Sequence, residues 1–226
     1  MKYRQDAAAR IRADVRKETA DAVARGGPDR ARRQLLRTLD AELARVPAAD
    51  RGPVACRSGC DLCCHLRVMA TPAEVFGLLE YLQATLDAEA FAAFQARVAA
   101  AAARLAGVAP AQILATNLAC PVLVDGRCSG YAARPFNCRA YHSLDRDACQ
   151  QSFDAPADAA LNHPQYAAVA RVHEGVQAGH VAGLADAGFD HQQYELVTAL
   201  AEALADPDAR TRFERRGRAF TRPSPV

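Results

Sequence analysis

The sequence predicts a mostly α protein, a helical bundle around a cysteine-rich centre with one short β-hairpin. Three observations predict it. The 50% hydrophobic content is dominated by Ala rather than by Val, Ile and aromatics, which favours helix over sheet. Trp is absent and aromatics make up 6%, so large sheet-packing side chains are scarce. Apolar residues recur at helical spacing between recognisable start and stop signals, and only one stretch, residues 120–141, breaks that texture.

Residues 4–25 form a charged, Ala-rich helical pattern that stops at "GGP", with Pro28 placed for the first turn of a second helix, "DRARRQLLRTLDAELARV". Leu35, Leu36, Leu39, Leu43 and Val46 put one apolar stripe on that helix. The expectation is a helical hairpin ending at Pro47. "TPAEVFGLLEYLQATL" opens with Thr71 as N-cap, Pro72 at N1 and Glu74 at N3, a capping box. Asp87 caps the next helix, which Gly107 terminates. These two helices are expected to pair antiparallel, with Phe76, Leu79, Leu82, Phe91, Phe94 and Val98 in the core. "VLV", "DG" and "RC" then read as a tight hairpin, because Asp125-Gly126 can take the positive φ angles of its turn. Helices resume over 163–188 and 191–205, and a last segment starts at Asp206-Pro207. The expected organisation is a helical hairpin over 1–50, a cysteine-rich domain over 51–155 and a C-terminal helical region over 156–226.

All eight cysteines fall between 56 and 149, four of them in "CRSGCDLCCH". Cys60, Cys63 and Cys64 converge at i, i+3, i+4 spacing in a helical turn, and Cys120 and Cys128 flank the hairpin, with Cys138 and Cys149 beyond it. Thiolates packed so closely repel one another unless a cation is bound. The residues alone leave several readings open: disulfides, structural zinc, an iron–sulfur cluster or a cysteine nucleophile at Cys64 or Cys138. Zinc accepts tetrahedral thiolates, but zinc ribbons use two clean C-x2-C pairs, which are missing here. The C-x3-C-x2-C run over 56–63 is a spacing that chelates three irons of a four-iron cluster. Radical-SAM enzymes share that run but set it in a β/α barrel, and this chain has no train of strands to build one.

Composition narrows the setting. No stretch approaches the ~20 apolar residues of a membrane span, and "MKYRQDAAARIRADVRKE" has no signal-peptide core. A cytoplasmic protein is expected, where stable disulfides are disfavoured. Net charge is +2, and residues 1–46 hold twelve Lys/Arg against seven Asp/Glu. The excess is modest and interleaved, as on a solvated helix face, which argues against nucleic acid as a partner.

"CRSGCDLCC" followed by "CPVLVDGRCSGYAARPFNCRAY" closely resembles the bacterial YkgJ-type cysteine-cluster family, a zinc- or iron-chelating domain, over about residues 56–142. The resemblance implies that Cys56, Cys60, Cys63, Cys64, Cys120, Cys128 and Cys138 are metal-chelating thiols, with Cys149 as an eighth. Gly130 departs from the pattern, which has a bulky aliphatic there. A similar segment occurs in flagellin lysine N-methylases, which implies that such a domain can accompany an iron–sulfur-dependent transferase. Beside such a centre Arg134 and Arg139 are expected to donate N–H bonds to anionic sulfur, and Tyr131 to pack over it with its hydroxyl outward. His65 and His142 adjoin the site as candidate ligands or supporting groups, whereas His163, His173, His180 and His191 carry no functional expectation. The expected cofactor is an iron–sulfur cluster, four-iron type, or zinc. A protein partner is expected to use the N-terminal helices.

Overall fold

The break expected at "GGP" is where the chain turns back in the computed structural model, which describes residues 2–158 and 160–221. Helix α1 (Lys2–Ala44) has two arms joined at Gly26 and Gly27; Gly27 takes φ 75° and ψ −178°, a combination essentially confined to glycine. Single 3₁₀ turns at Ala48–Asp50 and Leu62–His65 lead to strand β1 (Met69–Ala70). Helix α2 (Pro72–Thr85) starts with the expected capping box, and α3 (Ala88–Ala106) with Asp87 accepting from the Ala90 amide at 2.8 Å. Strands β2 (Leu123–Val124) and β3 (Arg127–Cys128) form the expected hairpin, with Asp125 at φ 50° and Gly126 at φ 70°. The remaining elements are α4 (Phe136–Ala140), α5 (Arg146–Asp154), α6 (Ala167–Asp186), β4 (Tyr194–Glu195), α7 (Leu196–Ala205) and α8 (Ala209–Glu214). The end of the basic C-terminal tail, 222–226, lies outside the described residues.

These elements assemble into two compact units: Met1–Pro53 with Gln165–Gln192 and Thr211–Ala219, and Val54–Pro164 with Gln193–Arg210 and Phe220–Val226. In the first unit the arms of α1 run antiparallel. Arg10 donates to Glu42 at 2.9 Å and Thr38 to Glu18 at 2.8 Å, pairing positions on either side of the glycine break. Their apolar stripes, Ile11, Val15 and Val23 on one arm and Ala31, Leu35 and Leu39 on the other, are buried.

Helix α6 joins them through three glycines one turn apart. A Cβ on Gly179 would stand 2.6 Å from the Arg12 carbonyl oxygen and 2.7 Å from the Val15 Cβ; one on Gly183 would stand 2.5 Å from the Arg16 carbonyl oxygen. Gly175 meets Ala8 and Ile11 in the same way, so α6 runs parallel to the first arm at close range. Gly179→Ala would gain about 1 kcal/mol of helix propensity. Overpacking against backbone, at about 1–3 kcal/mol, outweighs that, and a lower melting temperature by circular dichroism is the expected result.

In the second unit α2 and α3 do not make the expected antiparallel pair; each rests instead on α7. Ala101 and Leu105 of α3 cluster with Val197 of α7 and Leu118. Phe76, Leu79, Leu82, Phe94 and Val98 are buried as expected, and Phe91 is half-buried against Phe94. A second strand pair, which the sequence does not announce, joins β1 to β4 antiparallel with Met69 opposite Glu195 and Ala70 opposite Tyr194. That pairing holds the start of α2 beside the start of α7.

Candidate metal centre

Cys63 and Cys64 ride on the 3₁₀ turn at Leu62–His65, which the Cys64 amide closes by donating to the Asp61 carbonyl at 2.8 Å. The second cysteine group is delivered to this turn by backbone pairing. The Cys120 amide donates to the Cys64 carbonyl at 2.8 Å, and the Leu118 amide to the His65 carbonyl at 2.9 Å. From Cys120 the chain enters the hairpin, where Leu123 stands opposite Cys128. Gly130 follows, packed where a Cβ would come 2.5 Å from Leu78 Cδ1. The aliphatic group expected at position 130 is thus supplied by α2.

Cys138 arrives on α4, and two polar tethers fix that short helix. Glu74 accepts from the Phe136 amide at 2.6 Å while its other oxygen caps Thr71, and the Asn137 amide group donates to the Met69 carbonyl at 2.6 Å. Cys149 comes from α5, capped by Asp145, which accepts from the Asp147 and Ala148 amides. Helix α5 docks on the cysteine turn through Phe153, edge-on to the His65 ring at 5.2 Å. The Ala55 amide donates to the Ser143 carbonyl at 2.8 Å, bringing the segment that bears Cys56 alongside.

Electrostatics show which thiols feel one another. Cys63 is held protonated by its hydrogen bond with Cys64, by burial and by the Cys64 charge. Burial pushes Cys120 up to about 11, with Cys128 adding to the shift. Burial raises Cys138, followed by the charges of Cys120, Cys128 and Cys63. Cys149 is raised by burial first and then by Cys56, Cys60 and Cys63. Cys63 therefore stands between a more buried group, Cys120, Cys128 and Cys138, and a more open one, Cys56, Cys60 and Cys149. Cys56 is exposed, and all eight thiols are free. As the side chains are placed, no three His, Cys, Asp or Glu groups among the described residues stand at coordinating spacing.

The surrounding cations match an anionic centre. The Arg134 guanidinium lies 3.8 Å from the Tyr131 ring centroid and favours the ionised forms of Cys63 and Cys128, and its buried Nε–H has no acceptor among the described residues. Arg139 donates to the Ala132 carbonyl. Tyr131 is 62% exposed and faces outward over Arg134. His65 turns Nδ1 to the Asp61 carbonyl at 3.1 Å, and His142 turns Nδ1 to the Ala140 carbonyl at 3.0 Å.

Three residues escape a reading of the sequence. Arg67, nearly fully buried, donates to the carbonyls of His65 at 2.9 Å and of Leu118, and faces Glu195 at 3.5 Å. It clamps the two segments that carry Cys64 and Cys120, and its charge favours a Cys120 thiolate. A lone Arg in the apolar stretch "LRVMAT" is the only sequence signal for it. Tyr141 and His163 stack at 4.3 Å, with the hydroxyl 3.2 Å from Nδ1. Burial raises the Tyr141 pKa, and Cys149, Cys63 and Cys56 add to the effect, placing this pair beside the open thiol group. Burial lowers the His163 pKa, with His142 contributing.

Residues 55–159, which hold every one of these thiols, match the family model CxxCxxCC, described as "Putative zinc- or iron-chelating domain". The match covers less than half of the 226-residue chain. No curated protein and no solved structure shows a significant match to the chain. No helix among the described residues is long and apolar enough to cross a membrane.

The residues of the matched segment suit a thiophilic ion. Soft sulfur donors select zinc or iron, and the unpartnered Nε–H of Arg134 beside Cys63 and Cys128 is a donor that anionic sulfur would satisfy.

Proposed function

We propose that the CxxCxxCC domain holds an iron–sulfur cluster of the four-iron type on thiols drawn from Cys56, Cys60, Cys63, Cys64, Cys120, Cys128, Cys138 and Cys149. The single observation that carries this reading is the backbone pairing of Cys120 with Cys64. It brings the two halves of the cysteine pattern to one place. The C-x3-C-x2-C spacing favours iron. When bound, such a cluster supplies electron transfer or a Lewis-acidic iron. Arg134, Arg139 and Tyr131 would border it, their cations balancing anionic sulfur and offering a position for an anionic substrate group, which suits support of a redox or transferase reaction. Free thiols in this number suit a reducing, cytoplasmic setting.

Structural zinc is the second reading, and a specific observation favours it. Between α3 and α4 the chain makes only one short 3₁₀ turn, two two-residue strands and a second 3₁₀ turn, so a tetrahedral thiolate site would staple a region poor in regular hydrogen bonding.

Anaerobic purification followed by visible absorption, metal and sulfide analysis on one sample decides. Iron with acid-labile sulfide and a brown colour is the expected result; zinc at one or two ions per chain supports the second reading; a protein without stoichiometric metal overturns both. Cys120→Ser and Cys138→Ser are each expected to lower bound metal well below one equivalent.

A further inference from the structure

A cavity of about 160 Å³ opens in the first unit, between the two ends of α1, the turn after it and the start of α6. It lies outside the thiol-bearing segments and has no part in the proposed metal chemistry. Its floor is apolar: Ile11, Val46 and Val172 line it and are themselves at most 7% exposed. Its wall is charged, and the charges are unevenly compensated.

Glu42, a buried carboxylate, receives Arg10 at 2.9 Å and also Arg45, and Arg10 is further paired with Asp14 at 3.1 Å. Two of the three lining arginines among the described residues are therefore neutralised from within the fold. Asp50 on the rim has a partner of its own. Arg171 is different: it lines the cavity, is half-buried, and has no acceptor or ion-pair partner among the described residues. A guanidinium without a partner among the described residues, beside an apolar floor, is complementary to one chemical class, a small anion with an apolar body. Size narrows the class, since a cavity of roughly 150 Å³ holds one benzene-sized molecule.

We propose that this cavity is a binding site for a small monocarboxylate with a compact apolar body, the carboxylate on Arg171 and the body against Ile11, Val46 and Val172. A planar carboxylate can take two parallel N–H bonds from a guanidinium, which an amide or a point charge cannot reproduce.

The test uses the full chain with whatever metal it carries, and 4-fluorobenzoate observed by fluorine NMR, with 4-fluorobenzamide as the neutral isostere. The expected result is saturable binding of the benzoate at or below millimolar concentration. The benzamide and the Arg171→Gln variant, its fold checked by circular dichroism, should each weaken binding at least tenfold. Absence of binding overturns the proposal, as does a benzamide that binds equally well. Undiminished binding to Arg171→Gln also overturns it, because the benzoate would then occupy another place, the metal centre included. If Arg171→Gln does not fold, the native chain decides alone: a benzoate preference of at least tenfold over the benzamide supports the site, and a smaller preference overturns it.

Discussion

Replacing Arg67 by methionine is expected to destabilise the thiol-bearing unit by about 3–5 kcal/mol, the usual cost of removing one partner of a buried ion pair, and to lower its bound metal. The side chain is 1% exposed and that of Glu195 4%. Their 3.5 Å separation is at the outer limit of a hydrogen bond, so charge attraction rather than a directional bond joins them. Burial lowers the Arg67 pKa, and Glu195 and Cys120 oppose that shift. Methionine would leave the Glu195 carboxylate buried with only the Thr198 amide as a donor among the described residues.

Methionine would also leave the His65 and Leu118 carbonyls without the guanidinium that joins them. The double variant Arg67→Met, Glu195→Gln should therefore recover part of the loss, by removing the lone charge, but not the part owed to the carbonyls. Urea midpoints by circular dichroism, with metal analysis on the same samples, give both numbers. A single variant with unchanged midpoint and metal content would show that Arg67 clamps nothing.

Acid should weaken the helical unit through His180. The imidazole is 2% exposed, shares a 3.2 Å hydrogen bond with the Thr19 hydroxyl at Nδ1, and has no partner at Nε2 among the described residues. Burial depresses its pKa from 6.5 to about 4, so the native state keeps it neutral. Above pH 6.5 the neutral ring is common to folded and unfolded chains and the stability is fully present. As pH falls from 6.5 toward 4 the unfolded chain takes up a proton that the native state refuses, and stability is lost until the folded ring also protonates. The loss approaches about 3 kcal/mol, at 1.36 kcal/mol per pKa unit. His180→Leu should flatten this part of the stability profile between pH 7 and pH 4. Equal slopes for the two proteins would place the acid sensitivity elsewhere.

Local chemistry made much of this protein legible in advance. The Gly26-Gly27-Pro28 break, the Thr71–Glu74 capping box, the Asp87 cap and the Asp125-Gly126 turn each depend on residues within a few positions of one another, and each appears where the pattern places it. The cysteine pattern likewise pointed to the segment that matches the CxxCxxCC model, because the spacing of cysteines is a property of the chain itself.

Tertiary structure decided what depends on distant partners. The β1–β4 pair joins residues 69 and 195 through only two positions per strand, too short to leave an alternating pattern. Helix α5 is nine residues long with no buried residue, and the sequence reading expects no helix there. Helix α6 reads as an ordinary Ala-rich helix until Gly175, Gly179 and Gly183 are seen against the first arm of α1. Whether a glycine weakens a helix or admits a neighbour depends on that neighbour. Arg67 is the strongest case. As a residue type it belongs on the surface, and only the folded chain supplies the two carbonyls and the carboxylate that make its burial favourable. What the sequence determined by itself was therefore where the long helices and the tight hairpin run and where the thiols lie, while the short helices α4 and α5 carried no such signal. Which helices meet, and what holds the two halves of the cysteine pattern together, was decided only by the fold, because those contacts form between residues that share no local signal.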